Sequence, residues 1–357
     1  MATIKDVAKL AGVGVGTASR VLSGKGSVAP ATAEKVRRVI EELDFKPSRA
    51  ARALMTGASQ TIGVYIPFLK GTYYTTVLQV IDKTLRAQGL HMVAAFGQDG
   101  LDEREEAVGG MRFLIERECD GLMVFSNLIK DVDVRSLKEA APFVAVINSA
   151  FPKLAEQCFS ADHEAAGRMA AGALLRHKHR DIAVLSGPAT SPDNAARMRG
   201  FMAELLEAGV PAKRVLELRG DFSTQSGWQA GVEALASGQR FTAVFCANDE
   251  MAMGLMASLQ AAGVKVPEEV SVLGYDDNPG SVFTTPRLSS VHIPTREVTQ
   301  AGLHWLLNRR YGLELPVLRE FPISVSWRDS VAAAAPASTS KSAKGEVQGR
   351  ARKDRKT

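Results

Sequence analysis

Thr3-Ile4-Lys5-Asp6-Val7-Ala8-Lys9-Leu10-Ala11-Gly12-Val13, followed by Val15-Gly16-Thr17-Ala18-Ser19-Arg20-Val21-Leu22-Ser23, sets the reading of the whole chain. Ile4, Val7, Ala8 and Ala11 recur at helical spacing behind a Thr3 to Asp6 capping-box pattern, and Gly12-Val13-Gly14 breaks that helix. A second helix is expected from Val15 to Ser23. Its apolar residues Ala18, Val21 and Leu22 share one side, which turns Gly16 and Arg20 to the other, with Thr17 and Ser19 flanking. A third helix is expected from Pro30 to Leu43, with Val36, Val39, Ile40 and Leu43 inward and Lys35, Arg37 and Arg38 outward. The three form a helix-turn-helix whose second helix carries a narrow polar face. On that face Arg20 can pair through both guanidinium nitrogens with guanine O6 and N7 in a major groove.

Charge places a polyanion at the ends of the chain and away from its middle. Residues 1–60 and 331–357 each sum to +5 while the whole chain is +5, so residues 61–330 sum to −5. Cys119, Cys158 and Cys246 are too few and too scattered for a disulfide framework or a metal site, which fits a reducing cytosol. The chain opens on no charged-then-apolar leader, and no apolar run approaches the roughly 18 residues of a membrane span.

From Thr61 short apolar runs alternate with amphipathic helices. Strands are expected at Ile62 to Phe68, Met92 to Phe96, Leu122 to Phe125, Val144 to Ile147, Ile182 to Leu185, Val215 to Leu218, Val244 to Cys246 and Val270 to Leu273. Helices such as Val77 to Gln88, Ala165 to Arg176, Ala195 to Glu207, Gly227 to Ser237 and Glu250 to Ala262 fall between them. Such alternation means parallel sheets covered on both faces, in which ligands sit beyond the carboxyl ends of the strands. Gly12-Val13-Gly14-Val15-Gly16 has glycines reminiscent of a nucleotide-binding loop, but a helix rather than a strand precedes it. His177 and His179 would not share a helix face and read as a polar loop, and Asp276-Asp277 reads as a pair of pocket hydrogen-bonding residues rather than a cation site.

The run Met1 to Val13 and the run Thr17-Ala18-Ser19-Arg20-Val21-Leu22-Ser23-Gly24 closely resemble the start of the LacI/GalR family of bacterial repressors. The resemblance continues in order through Lys46 to Gly57, Thr61 to Val64, Gly220 to Phe222, Ala247 to Asp249 and Gly274 to Asp277, covering residues 1 to about 329. It implies a small all-α helix-turn-helix head and an α/β core of two doubly wound parallel-sheet subdomains of periplasmic-binding-protein type. The head would span residues 1–46 and the hinge helix and linker 47–60. The effector-binding core would span 61–329, with one subdomain at 61–160 and 293–320 and the other at 161–292 and 321–329. Residues 330–357, rich in Ala, Ser and Lys/Arg, would form a disordered basic tail.

The same resemblance supplies candidate contacts. DNA would meet Thr3, Val15, Gly16, Thr17, Ser19 and Arg20 of the head and Ala51, Leu54 and Met55 of the hinge, Leu54 occupying the family's minor-groove wedge position. Gly14 and Ala29 stand where the family commonly has capping serines, which weakens both helix starts, and Pro30 offsets part of the second loss. Pro47 to Leu54 is too short to hold a helix alone and should fold only where something supports it.

Strand ends and the resemblance together give the effector candidates Tyr73, Tyr74, Asn148, Arg197, Phe222, Asn248 and Asp276, of which Arg197 aligns with the family's effector-contacting arginine. An aromatic face with Arg, Asn and Asp partners suits a hydroxyl-rich ring, although Tyr74 and Phe222 could equally be lobe core and Asp276 a loop cap. Purine is disfavoured because Ser191 replaces the arginine of purine-responsive members. The expected protein is a cytoplasmic, sugar-responsive repressor that binds a palindromic operator as a homodimer, with no enzyme activity, cofactor, metal or membrane partner. Repression against activation, and induction against corepression, stay open, as does a sugar-binding protein without a DNA role.

Overall fold

The computed structural model describes residues 2–24, 26–45, 57–69, 71–97, 103–126, 128–137, 141 and 143–334. The head is three helices: α1 (Ile4–Ala11), α2 (Val15–Ser23) and α3 (Pro30–Glu42). Thr3 and Asp6 close a reciprocal capping box on α1, and Gly12 ends it in the left-handed conformation at φ 63°. Neither Gly14 before α2 nor Ala29 before α3 supplies a side-chain cap. What holds the head together is a small core of Val7, Ala8, Ala11, Ala18, Val36 and Val39. The hinge candidates Ala51, Leu54 and Met55 lie outside the described residues, as does the tail from residue 335.

The core begins with β1 (Thr61–Ile66), α4 (Tyr73–Ala87), β2 (His91–Phe96), α5 (Glu103–Glu116), β3 (Gly121–Phe125), α6 (Asp131–Ser136), β4 (Val144–Ile147) and β5 (Cys158–Phe159). These strands form a parallel sheet in the order β2-β1-β3-β4-β5. The chain then crosses to α7 (His163–Arg176), β6 (Ile182–Ser186), α8 (Pro192–Glu207), β7 (Val215–Arg219), α9 (Thr224–Ala236), β8 (Ala243–Cys246), α10 (Asp249–Ala261), β9 (Ser271–Asp276) and β10 (Ser289–His292). It returns with α11 (Thr295–Tyr311), whose Val298, Ala301, Leu303 and Leu306 pack with Ile62, Val64 and Met123 of the first lobe. It crosses once more to β11 (Ser324–Ser326), the antiparallel edge of the second sheet, ordered β11-β10-β9-β8-β6-β7.

Each sheet reverses its strand order once, between β1 and β3 in the first and between β6 and β8 in the second. The crevice beyond the carboxyl ends at such a reversal is where doubly wound folds take ligands. The basic tail starts later than its composition suggests. Ser330 is buried, its hydroxyl bonded to Val272 and Ser289, and the Ala332 amide donates to Ser271 Oγ at 3.0 Å, so 330–334 belong to the second lobe. The reason is that these residues satisfy backbone groups at the start of β9, a role composition does not reveal.

Two close helix pairs fix the second lobe's side of the cleft. At Gly167 on α7 and Gly200 on α8 a methyl group would collide with the backbone of Arg197 and of Glu164 respectively. Gly227 on α9 and Gly254 on α10 face the backbone of Met251 and Thr224 in the same way. Glycine is required at these positions because the helices touch main chain to main chain, which fixes α7 against α8 and α9 against α10.

Candidate functional site

On the head, α2 exposes Val15, Gly16 and Arg20, with Thr17 and Ser19 half-buried beside them. Thr3 is committed to the capping box, its hydroxyl donating to Asp6 Oδ2 at 2.7 Å. These hydrogen bonds from Thr3 hold the Asp6 carboxyl below its usual value. The exposed face is short, uncapped by carboxylates of its own and suited to a groove.

In the core, one cleft between the lobes gathers Tyr73, Tyr74, Asn148, Arg197, Phe222, Asn248 and Asp276, all seven of the sequence candidates, around a cavity of about 120 Å³. Tyr73 and Tyr74 arrive on the first turn of α4, a turn earlier than the apolar pattern suggests. Tyr73 accepts from Asn148 Nδ2 at 2.7 Å and meets Tyr74 edge to face, with ring centroids 5.0 Å apart. Both tyrosines and Phe222 also pack on their lobes' apolar clusters, so the core reading and the pocket reading hold together for these rings.

Arg197 is 5% exposed, sits 3.4 Å from the ring centre of Tyr275 and donates to the Ala247 carbonyl. Asn248 caps α10, accepting from the Met251 amide at 3.1 Å, and its amide donates to the Phe222 carbonyl at 2.9 Å. Asp276 ends β9 with φ 100°, and Asn148 and Phe222 are also left-handed, at φ 59° and 69°. Non-glycine residues in this region cost about 1 to 3 kcal/mol each and gather at ligand sites, where the surroundings force them to aim a side chain.

The structure adds pocket residues that the sequence reading missed: Phe68, His163, Asp193, Asp221 and Glu250. His163, Asp193 and Glu250 stand on the first turns of α7, α8 and α10, behind the caps Asp162, Ser191 and Asn248. His163 Nδ1 lies 2.7 Å from the Tyr275 hydroxyl, and burial followed by the Arg197 charge pulls its value down to about 3, so the ring is neutral at ordinary pH. Burial drives the Asp276 carboxyl well above its usual value against the pull of Arg197, and Asp249, Glu250 and Asp193 push it the same way. Asp277 does not share that cleft. It accepts from Arg328 at 2.6 Å and from Ser326 at 2.7 Å, and His292 lies 3.2 Å away, so it ties β9 and β10 to β11.

The histidine pair of the sequence also resolves structurally. His179 is 2% exposed, its nitrogens 2.9 Å from Thr242 Oγ1 and 2.9 Å from the Ala332 carbonyl, and His177 ends α7 with its ring against Trp327. Among the described residues no group of three or more His, Cys, Asp or Glu is arranged to hold a metal ion, and no helix is long and apolar enough to cross a membrane.

A helix-turn-helix head attached to a two-lobed α/β core with a polar cleft defines a ligand-sensing DNA-binding regulator. Comparison with known proteins gives the class its family. Residues 3–48 match the family described as bacterial regulatory proteins, lacI family, and residues 171–331 match the periplasmic binding protein-like domain. The chain is 30% identical to the HTH-type transcriptional regulator AscG of Escherichia coli (strain K12) over 336 residues, 93% of this chain and 99% of that protein. The lac repressor dimer bound to operator and the anti-inducer ONPF superposes with a TM-score of 0.80 at 27% identity, covering 93% of this chain and 99% of that one. The transcriptional regulator CelR in complex with cellobiose superposes with a TM-score of 0.65 at 30% identity, covering 92% and 100%. The chain belongs to the LacI family of DNA-binding transcriptional regulators.

Proposed function

We propose that the protein is a dimeric repressor that grips a near-palindromic operator and is released by a sugar inducer. One observation carries this reading: a head with an exposed α2 face is joined to a cleft where Arg197, Asn148, Asn248 and Asp276 surround aromatic rings. Hydroxyl groups need both donors and acceptors, and apolar sugar faces need rings, so that mixture suits a carbohydrate. The relatives solved with operator and with cellobiose favour the same pairing of DNA and sugar. Non-enzymatic action fits as well, since the relatives are regulators.

The dimer is supported by apolar surface. Trp228, Val232 and Leu235 recur at i, i+4 and i+7 on α9 and are exposed, and Phe283 is 84% exposed with Val282 beside it. Large apolar side chains left in water in this number mark a partner surface, and two-fold symmetry is what a palindrome requires.

The test is operator selection followed by binding of two variants. Arg20→Ala removes a base contact, and Leu54→Ala removes the proposed wedge; each should weaken selected-operator binding by about tenfold or more while leaving non-specific binding nearly unchanged. A circular-permutation gel assay should show reduced bending for Leu54→Ala alone. Equal loss on operator and random DNA in both variants would overturn the reading.

A further inference from the structure

Two polar atoms in the cleft are buried without a hydrogen-bond partner: His163 Nε2 and Arg197 Nε, on side chains 8% and 5% exposed. Leaving such groups unsatisfied is destabilising, and natural interiors seldom tolerate it without a use. Both belong to residues lining the pocket, on neighbouring helices α7 and α8. Arg197 Nε is a donor. The Asp193 carboxylate is the group that faces Nε2 and favours the imidazole proton on that nitrogen, so Nδ1 accepts from the Tyr275 hydroxyl. Asp193 Oδ2 is 3.6 Å from Nε2, beyond hydrogen-bond distance. The floor of the cleft therefore offers two unused donors that want one acceptor.

The walls ask for the opposite. Among the described residues Asp193, Asp221, Glu250 and Asp276 line the cavity with Arg197 as the one formal cation, so carboxylates outnumber cations there. The helix amino termini that open here would by themselves favour an anion. That attraction is already used: Asp162, Ser191, Ser223 and Asn248 accept the first-turn amides, and Glu164, Asp193 and Glu250 occupy the first turns of α7, α8 and α10. Burial first, and then the nearby Asp249, Glu250 and Asp193, push the Asp276 carboxyl up, so the surroundings that line this cavity oppose added negative charge.

We propose that the effector is an uncharged polyhydroxylated ligand, that His163 Nε2 and Arg197 Nε together read one of its hydroxyl oxygens, and that the cleft rejects phosphorylated and carboxylated sugars. The inference rests on the sugar-responsive reading above and narrows it. A hydroxyl satisfies both sets at once, accepting from the two floor donors while donating to a carboxylate. A phosphate or carboxylate would meet the donors but face the carboxylates without a proton to give. An ammonium would meet the carboxylates and leave the donors stranded.

The experiment uses the full chain and thermal shift followed by calorimetric titration. The probes are glucose, galactose, ribose and cellobiose, set against glucose 6-phosphate, galactose 1-phosphate, ribose 5-phosphate, glucuronate and glucosamine. At least one uncharged sugar should stabilise the protein, and its charged counterparts should bind at least about tenfold more weakly. A phosphate, uronate or amino sugar that binds as tightly as its parent overturns this inference and leaves the sugar reading standing. No response to any probe overturns the sugar reading itself.

His163 is then tested with the responding sugar. His163→Gln places an amide N–H near the Nε2 position and should bind within about threefold of the parent protein, whereas His163→Asn keeps only a group near Nδ1 and should lose about tenfold. Both variants should melt near the parent without sugar. Full binding by His163→Asn with loss in His163→Gln would show that the histidine merely positions Tyr275.

Discussion

The carboxylate of Glu250, on the second lobe, accepts from both the amide and the hydroxyl of Thr72, on the first, at 2.9 and 2.8 Å. Gly71, left-handed at φ 70°, brings the loop close enough that a Cβ there would press on the Glu250 side chain at 3.2 Å. Thr72 begins α4 and Glu250 begins α10, so the contact joins the two helix starts that carry Tyr73 and Asn248 into the cleft. It fixes one lobe angle.

A ligand that favours this angle gains from the bridge, because binding energy can select only between states it contacts differently. Glu250→Ala should weaken binding of the responding sugar by about fivefold, a low-end coupling because the pair is partly exposed and screened. Thr72→Val, which keeps the amide bond, should cost less. Titration calorimetry on the two variants checks the order, and equal affinity in both and in the parent would remove the bridge from the account.

Asp120 is a second junction, between the core and the segment at residues 57–59 that follows the proposed hinge. It accepts from the Ser59 amide at 2.8 Å, the Tyr311 hydroxyl at 2.6 Å and Arg310 at 3.0 Å, while Arg310 also donates to the Gly57 carbonyl at 2.7 Å. Despite burial, these hydrogen bonds and the Arg310 charge hold its carboxyl below the usual value. Asp120→Ala should destabilise the fold by about 2 to 4 kcal/mol, since it strands donors around a side chain that is 5% exposed. It should also leave sugar affinity intact and shrink the effect of sugar on operator binding. Urea unfolding and paired DNA titrations measure the two; a variant with full stability and full response would refute the clasp.

The second lobe carries a pH dependence of its own. Asp249 is fully buried among Ser290, Ser281 and the Asn278 amide, and burial lifts its carboxyl from 3.8 to about 6. A raised folded value means the proton favours the fold: the stabilisation is complete below about pH 4 and is lost as pH rises through about 6. The integrated effect is on the order of 3 kcal/mol, from the shift multiplied by about 1.4 kcal/mol for each pKa unit. Asp249→Asn cannot titrate, so its melting temperature should fall less than the parent's between about pH 5 and about pH 8. Parallel pH profiles would show that Asp249 is charged at no energetic expense.

What the sequence made visible follows physical rules, and so does what it hid. The head was readable because Val7, Ala8 and Ala11 repeat at helical spacing between a capping box and Gly12, all local features. The pocket candidates were readable because Asn148, Phe222, Asn248 and Asp276 lie at or just past strand ends, where doubly wound sheets place ligands, and because the family resemblance points to the same positions. His163 and Asp193 were hidden because their helices begin with polar turns that carry no apolar period, so periodicity starts those helices at Ala165 and Ala195, whereas Glu250 lay inside its expected helix with no local sign that it faces the cleft. Asp277 looked like a pocket residue by adjacency, but its partners Arg328 and Ser326 are about 50 residues on, beyond any local signal.

The central claim is that the cleft and the operator oppose each other through the lobe angle. Linkage requires each ligand to change the affinity of the other by the same factor, typically about 5- to 150-fold. The decisive measurement is titration of operator DNA into the parent protein, Arg197→Ala and Asp276→Ala, each with and without the responding sugar. The account predicts that sugar weakens operator binding by the parent, while both variants hold the operator normally and ignore the sugar. A parent that binds operator more tightly with sugar, or variants that respond as the parent does, would contradict it.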